Sequence, residues 1–191
     1  MICRPARDFS VMHVYDLRNR VLMSQFKEKL LGLTKLRYET LPLLMQNMKV
    51  EDSLNIGGDP ISRILKCHLL SEVVLDKLIQ FAFEPNGDAI LSARLSYVQK
   101  LDITSRAFLV EDYPLLPDFA VGSLRKLNKI RNRLSHELGA SVTREEAIDL
   151  FMGVDHPMPI DPMDAEIPLL IYHYTSFIFG NMLPKYESVE Q

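Results

Sequence analysis

Cysteine is scarce in this chain. Cys3 and Cys67 are the only two in 191 residues, too few for a disulfide framework. Neither belongs to a Cys-x-x-Cys pair or to a Cys/His cluster with metal-ligand spacing. Cys67 and His68 are adjacent, but successive side chains on a helix point about 100° apart, so no shared metal is expected. A reduced, cytoplasmic setting is the expectation instead. An excess of basic charge is lacking too. With 22 Lys and Arg against 25 Asp and Glu, the net charge is −3, which argues against a generally basic nucleic-acid coat but leaves room for a local basic patch. Long apolar runs are also missing. The longest, "IPLLIYHYTSFIFGNML", is interrupted by His173, Thr175, Ser176 and Asn181 and is short for a membrane span. "MICRPARDFS" has no apolar run of the kind a signal peptide needs. Finally, no glycine-rich phosphate loop is present: "NIGGDP" has two glycines but no following Lys-Ser/Thr. Nor does a helix-turn-helix precede a basic recognition helix. No metal, cofactor or membrane contact is therefore expected.

What is present reads as helix almost throughout, and the length suits one domain with an appendage. "DFSVMHVYDLRNRVLMSQFKEKLLGL" spaces Val14, Leu17, Val21 and Leu22 as one stripe. "KLRYETLPLLMQNM" follows, with Pro42 expected to bend or restart the helix. Gly57, Gly58 and Pro60 mark a boundary. Residues 1–55 are expected to form an N-terminal helical appendage and residues 56–191 the core. Asp59 and Pro60 predict a helix start, with Ile64, Leu65, Leu69, Val73 and Leu78 as its apolar side. "EPNG" ends that helix, one or two shorter helices follow, and "EDYPLLPDF" reads as a loop. Thr143 and Glu146 predict a capping box. After a further loop, "PLLIYHYTSFIFGNMLPKY" predicts a largely buried last helix. No segment predicts strands. The expectation is an all-α helical bundle.

The chemistry concentrates in "LNKIRNRLSHELG", residues 127–139. On a helical wheel Leu124, Leu127, Ile130, Leu134 and Leu138 form an apolar arc, and Arg131 falls inside it. Gly139 is expected to cap the helix. Asn128, Arg131, Asn132, Ser135 and His136 line one edge, with Asn132 and His136 four apart and so neighbours. A guanidinium on a core-facing arc needs acceptors or a wet cleft. Glu72 and Asp76, four apart on the helix after Pro60, are the candidates to orient it. Arg125, Lys126, Lys129 and Arg133 make the segment locally basic; Arg125, Lys129 and Arg133 are the candidate phosphate contacts. The residues alone fit two readings: a structural arginine with a surface histidine, or a small site laid along a helix.

The stretch "RNRLSH" resembles the R-x(4–6)-H signature of HEPN domains, the higher eukaryotes and prokaryotes nucleotide-binding superfamily. "HLLSEVVLDKLIQFAF" resembles that family's first core helix, and "LSYVQKLDI" the segment that follows it. The resemblance covers roughly residues 60–139 and leaves the first fifty uncovered. It implies a HEPN-like bundle that often dimerises, and metal-independent RNA cleavage with Arg131, Asn132 and His136 in the signature positions. Toxins with cognate antitoxins, phage-defence components and RNA-processing proteins occur in the family. Non-catalytic regulators occur too: mannitol-operon repressor-like proteins are similar in size and in the "LSYVQKL" segment. The chemistry is coherent. Histidine titrates near neutrality and can take a proton from a ribose 2′-hydroxyl, while arginine's fixed donors suit the charge that builds on the phosphoryl oxygens.

Overall fold

The computed structural model describes residues 9–48, 59–110, 113–151 and 161–183. The fold is an all-α bundle, as expected, with one small exception. In chain order the elements are α1 (Phe9–Met48), α2 (Pro60–Ala82), α3 (Gly87–Leu91), α4 (Tyr97–Arg106), β1 (Phe108–Val110), β2 (Tyr113–Pro114), α5 (Asp118–His136), α6 (Arg144–Asp149) and α7 (Ile167–Met182). The exception is the antiparallel ribbon β1–β2, which pairs Phe108 with Pro114. It falls within "AFLVEDYP", where no strand was expected.

Helix α2 is the centre, and α1, α3, α4, α5 and α7 all pack on it. It starts where the sequence says it should. The Asp59 carboxylate accepts from the backbone N–H of Ile61 (3.2 Å) and Ser62 (3.0 Å), satisfying donors that the first turn leaves free. Ile64, Cys67, Leu70, Val74, Leu75 and Leu78 are buried against Leu101 of α4, Leu124 and Leu127 of α5 and Tyr174 of α7. Each such side chain contributes about 1.5–3 kcal/mol by leaving water. Two members of the expected stripe lie elsewhere: Leu69 is 62% exposed and Val73 37%. The core wraps α2 from the Cys67–Leu78 side, and a helix with several neighbours need not bury every apolar residue.

Helix α1 is one continuous element. It runs through Pro42 without restarting. Its described side chains reach the main cluster: Leu33 is fully buried there, and the Arg37 guanidinium donates to the carbonyls of Gly180 and Leu183 at the end of α7. Residues 49–58, where the boundary was expected, lie outside the described residues. So do the side chains of Val14 and Leu17; Val21 of the same stripe is exposed.

Between α2 and α3 the chain turns back tightly. A Cβ at Gly87 would lie 2.6 Å from the Gln80 Cα and 2.9 Å from its carbonyl oxygen, so a side chain would force backbone apart. Gly87→Ala should destabilise the fold by about 1–3 kcal/mol, read as a lower urea midpoint with an unchanged helical circular-dichroism signal. Unchanged stability would contradict that close approach.

Candidate functional site

Helix α5 carries the candidate residues. Its apolar arc holds for Leu124, Leu127 and Ile130, all buried. It fails at the far end: the helix stops at His136, Glu137 turns extended, and Leu138 is fully exposed. Gly139 takes a left-handed φ of 80° in the turn beyond rather than at the helix cap itself. The cause is a tertiary clamp. Arg133 grips Glu146 of α6 with Nε to Oε1 at 3.0 Å and Nη2 to Oε2 at 2.6 Å, and also bonds the Ser141 carbonyl at 2.7 Å. The chain must leave the helix early to return to it. Glu146 is anchored in turn by the expected capping box, since its carboxylate accepts from the Thr143 N–H and its own N–H donates to the Thr143 hydroxyl.

The clamp engages the Nε and Nη2 donors of Arg133 within the fold. Arg125 pairs with Asp102 of α4 at 3.0 Å, an exposed contact. Lys126 pairs with Asp149 at 2.8 Å. Lys129 is exposed and has no ionic partner among the described residues. Glu72 and Asp76 do not orient Arg131 as expected. Both receive Lys100 of α4, whose Nζ lies 2.8 Å from Glu72 Oε1 and 3.0 Å from Asp76 Oδ2. Burial works against the Lys100 charge, but its bonds to Asp76 and Glu72 prevail and raise its pKa.

Arg131 has no carboxylate partner among the described residues. It is half-buried, and its Nη1 donates to the Asn132 side-chain oxygen at 3.0 Å. Asn132 and His136 are both exposed, one turn apart on the same face, and the Ser135 hydroxyl donates back to the Arg131 carbonyl at 2.9 Å. The Asn132 bond is the one side-chain hydrogen bond of this half-buried guanidinium among the described residues, and the His136 imidazole is accessible five residues further on.

Sequence reasoning passed over a second histidine. His68 on α2 is only 4% exposed. Its ring stacks on Tyr97 with centroids 4.1 Å apart, and its Nε2 lies 3.0 Å from Asn128 Oδ1 of α5. Ser71 donates to the His68 carbonyl at 2.7 Å and lies 2.9 Å from the Tyr97 hydroxyl. The available signal was periodicity: His68 follows Ile64 by four and precedes Ser71 by three, placing it on the buried face. Burial lowers the pKa of its imidazole and the Arg131 charge pushes the same way, while the bond to Asn128 and the charge of Glu72 oppose them. The neighbouring Cys67 thiol is pushed up to about 12 by burial, which keeps it protonated. Among the described residues no group of three His, Cys, Asp or Glu side chains could hold a metal ion, and no helix is long and apolar enough to cross a membrane.

Comparisons with protein-family models, curated proteins and solved structures find no match to this chain.

The His68 environment has a pH consequence. The unfolded chain takes up a proton on this residue as pH falls past the ordinary value of 6.5, and the folded chain does not until lower pH. Stability carried by neutral His68 is full above 6.5 and is lost as pH falls through the folded pKa. Between pH 7.5 and 5.5 the wild type should therefore lose more unfolding free energy than His68→Phe, measured by urea titration. Equal losses would contradict a buried neutral imidazole.

Proposed function

We propose that this chain is a metal-independent endoribonuclease of the HEPN type, acting as a toxin or defence component. The observation that carries the reading is the state of Arg131. Three of its basic neighbours on α5 have carboxylates; among the described residues Arg131, half out of water, has one amide oxygen. A charge in that position is suited to an anion from outside, and a phosphodiester brings one. His136, one turn beyond Asn132, supports the same reading because it faces solvent rather than the core.

In this mechanism His136 takes the proton of the ribose 2′-hydroxyl. The oxygen attacks the adjacent phosphorus, the bond to the 5′-oxygen breaks, and that oxygen receives a proton. Arg131 donates to the non-bridging oxygens as their charge grows. Asn132 holds the guanidinium through Oδ1 and has its own amide N–H groups for the phosphate. One protomer supplies one His136. In a homodimer that joins two copies of this edge, the second His136 would protonate the leaving oxygen. Arg125 and Lys129 are the cations available to flanking phosphates.

A second reading, a non-catalytic regulatory or protein-interaction module like the mannitol-operon repressors, has its own observation. Val21, Met23, Leu31 and Tyr38 expose large apolar side chains along α1, which suits a regulatory protein partner. His136→Ala and Arg131→Ala should each reduce RNA cleavage by about 10²–10⁴-fold with unchanged circular dichroism. Cleavage equal to wild type in both would end the assignment of Arg131 and His136 as the catalytic residues. A chain that cuts no RNA yet captures a specific protein through its first fifty residues would favour the second.

A further inference from the structure

The pair His68–Asn128 joins α2 to α5 one turn before the signature residues. The His68 ring cannot swing freely. It stacks on Tyr97, and the Ser71 hydroxyl ties the same turn of α2 by donating to the His68 carbonyl. Because that hydroxyl proton is already given, the Tyr97 hydroxyl is the donor in its 2.9 Å contact with Ser71. The imidazole is thus fixed in plane and position, with Nε2 aimed at Asn128 Oδ1. An amide that turns its oxygen toward His68 turns its NH₂ the other way. Asn128 is half-buried, and the His68 contact is its one side-chain hydrogen bond among the described residues. Its two N–H donors are therefore unspent. They sit on the same edge of α5 as Arg131 and Asn132, three and four residues earlier, or about 4.5–6 Å along the axis.

We infer that Asn128 is a further RNA-contacting residue, its amide donating to a phosphodiester oxygen next to the one held by Arg131, and that His68 is the positioning residue that sets which way this amide faces. The inference rests on the ribonuclease reading and extends its contact row by one helical turn. It also gives the buried histidine a task that packing alone does not require. A leucine or phenylalanine would fill the space against Tyr97, but neither would hold the Asn128 oxygen inward. Only the neutral ring with its proton on Nε2 does this without placing a second cation beside Arg131. The charged groups around the pair are Arg131 on α5 and Glu72 on α2.

The test uses the full chain and a 2′-O-methylated RNA oligonucleotide, which binds but lacks the attacking hydroxyl. The ¹⁵N shifts of the His68 ring should report the proton on Nε2. Asn128→Asp keeps an oxygen for His68 and replaces the donors with an anion; it should weaken binding by about tenfold or more while holding the melting temperature. Asn128→Ala should weaken binding as well. His68→Phe should also weaken it, and the double variant His68→Phe/Asn128→Ala should bind no worse than Asn128→Ala alone. A proton on Nδ1, or wild-type affinity in both Asn128 variants while Arg131→Ala still abolishes cleavage, would overturn the role of Asn128 and leave the ribonuclease reading standing. A wild type that neither binds nor cuts RNA would overturn both.

Discussion

A guanidinium drawn half out of water needs acceptors, and the arrangement around Arg131 follows from how few it has. The apolar arc of α5 pins the helix against α2, α4 and α7 and brings Arg131 to the rim of the core. Carboxylates that might have neutralised it are held elsewhere: Glu72 and Asp76 by Lys100, Glu146 by Arg133, Asp102 by Arg125. Losing either partner of such a pair would leave a charge without its counter-ion, so these pairings are held firmly where they are buried. The unfilled donors remain on one short edge, together with Asn128, Asn132 and His136.

The same packing explains why the edge is both rigid and open. Buried contacts hold α5 from Ala120 to Ile130. Beyond Ile130 the part-buried Leu134 still packs on the core, and the Arg133–Glu146 clamp adds to fixing the chain. Residues 131–136 therefore belong to a helix whose base is locked and whose last two turns project toward solvent. On the proposed ribonuclease reading, that keeps the donors in a constant relation to one another as a polyanion approaches.

Local chemistry was legible in the sequence. The Asp59–Pro60 start and the Thr143–Glu146 capping box depend on residues no more than three apart, and both formed as read. So did the all-α character and the burial of Leu124, Leu127 and Ile130. Pairings across the fold were not legible. His68 and Asn128 are sixty positions apart, and nothing in either segment states that their helices cross there. Lys100 was equally hidden as the partner of Glu72 and Asp76. The apolar periodicity of α5 suggested that Leu138 would be buried, because a wheel assumes that the helix and its neighbours both continue. The Arg133 clamp ends the first and the core boundary ends the second. The short ribbon escaped notice because its two- and three-residue strands are too brief to show alternation.

The central claim is that this edge directs a ribose 2′-hydroxyl onto its own phosphate, and the ends of the cut RNA record that step. Purified chain incubated with RNA in the presence of a chelator should yield fragments ending in 2′,3′-cyclic phosphate, with 5′-hydroxyl partners, when the termini are read by mass spectrometry. RNA left intact, or fragments carrying 3′-hydroxyl and 5′-phosphate ends, would contradict the account.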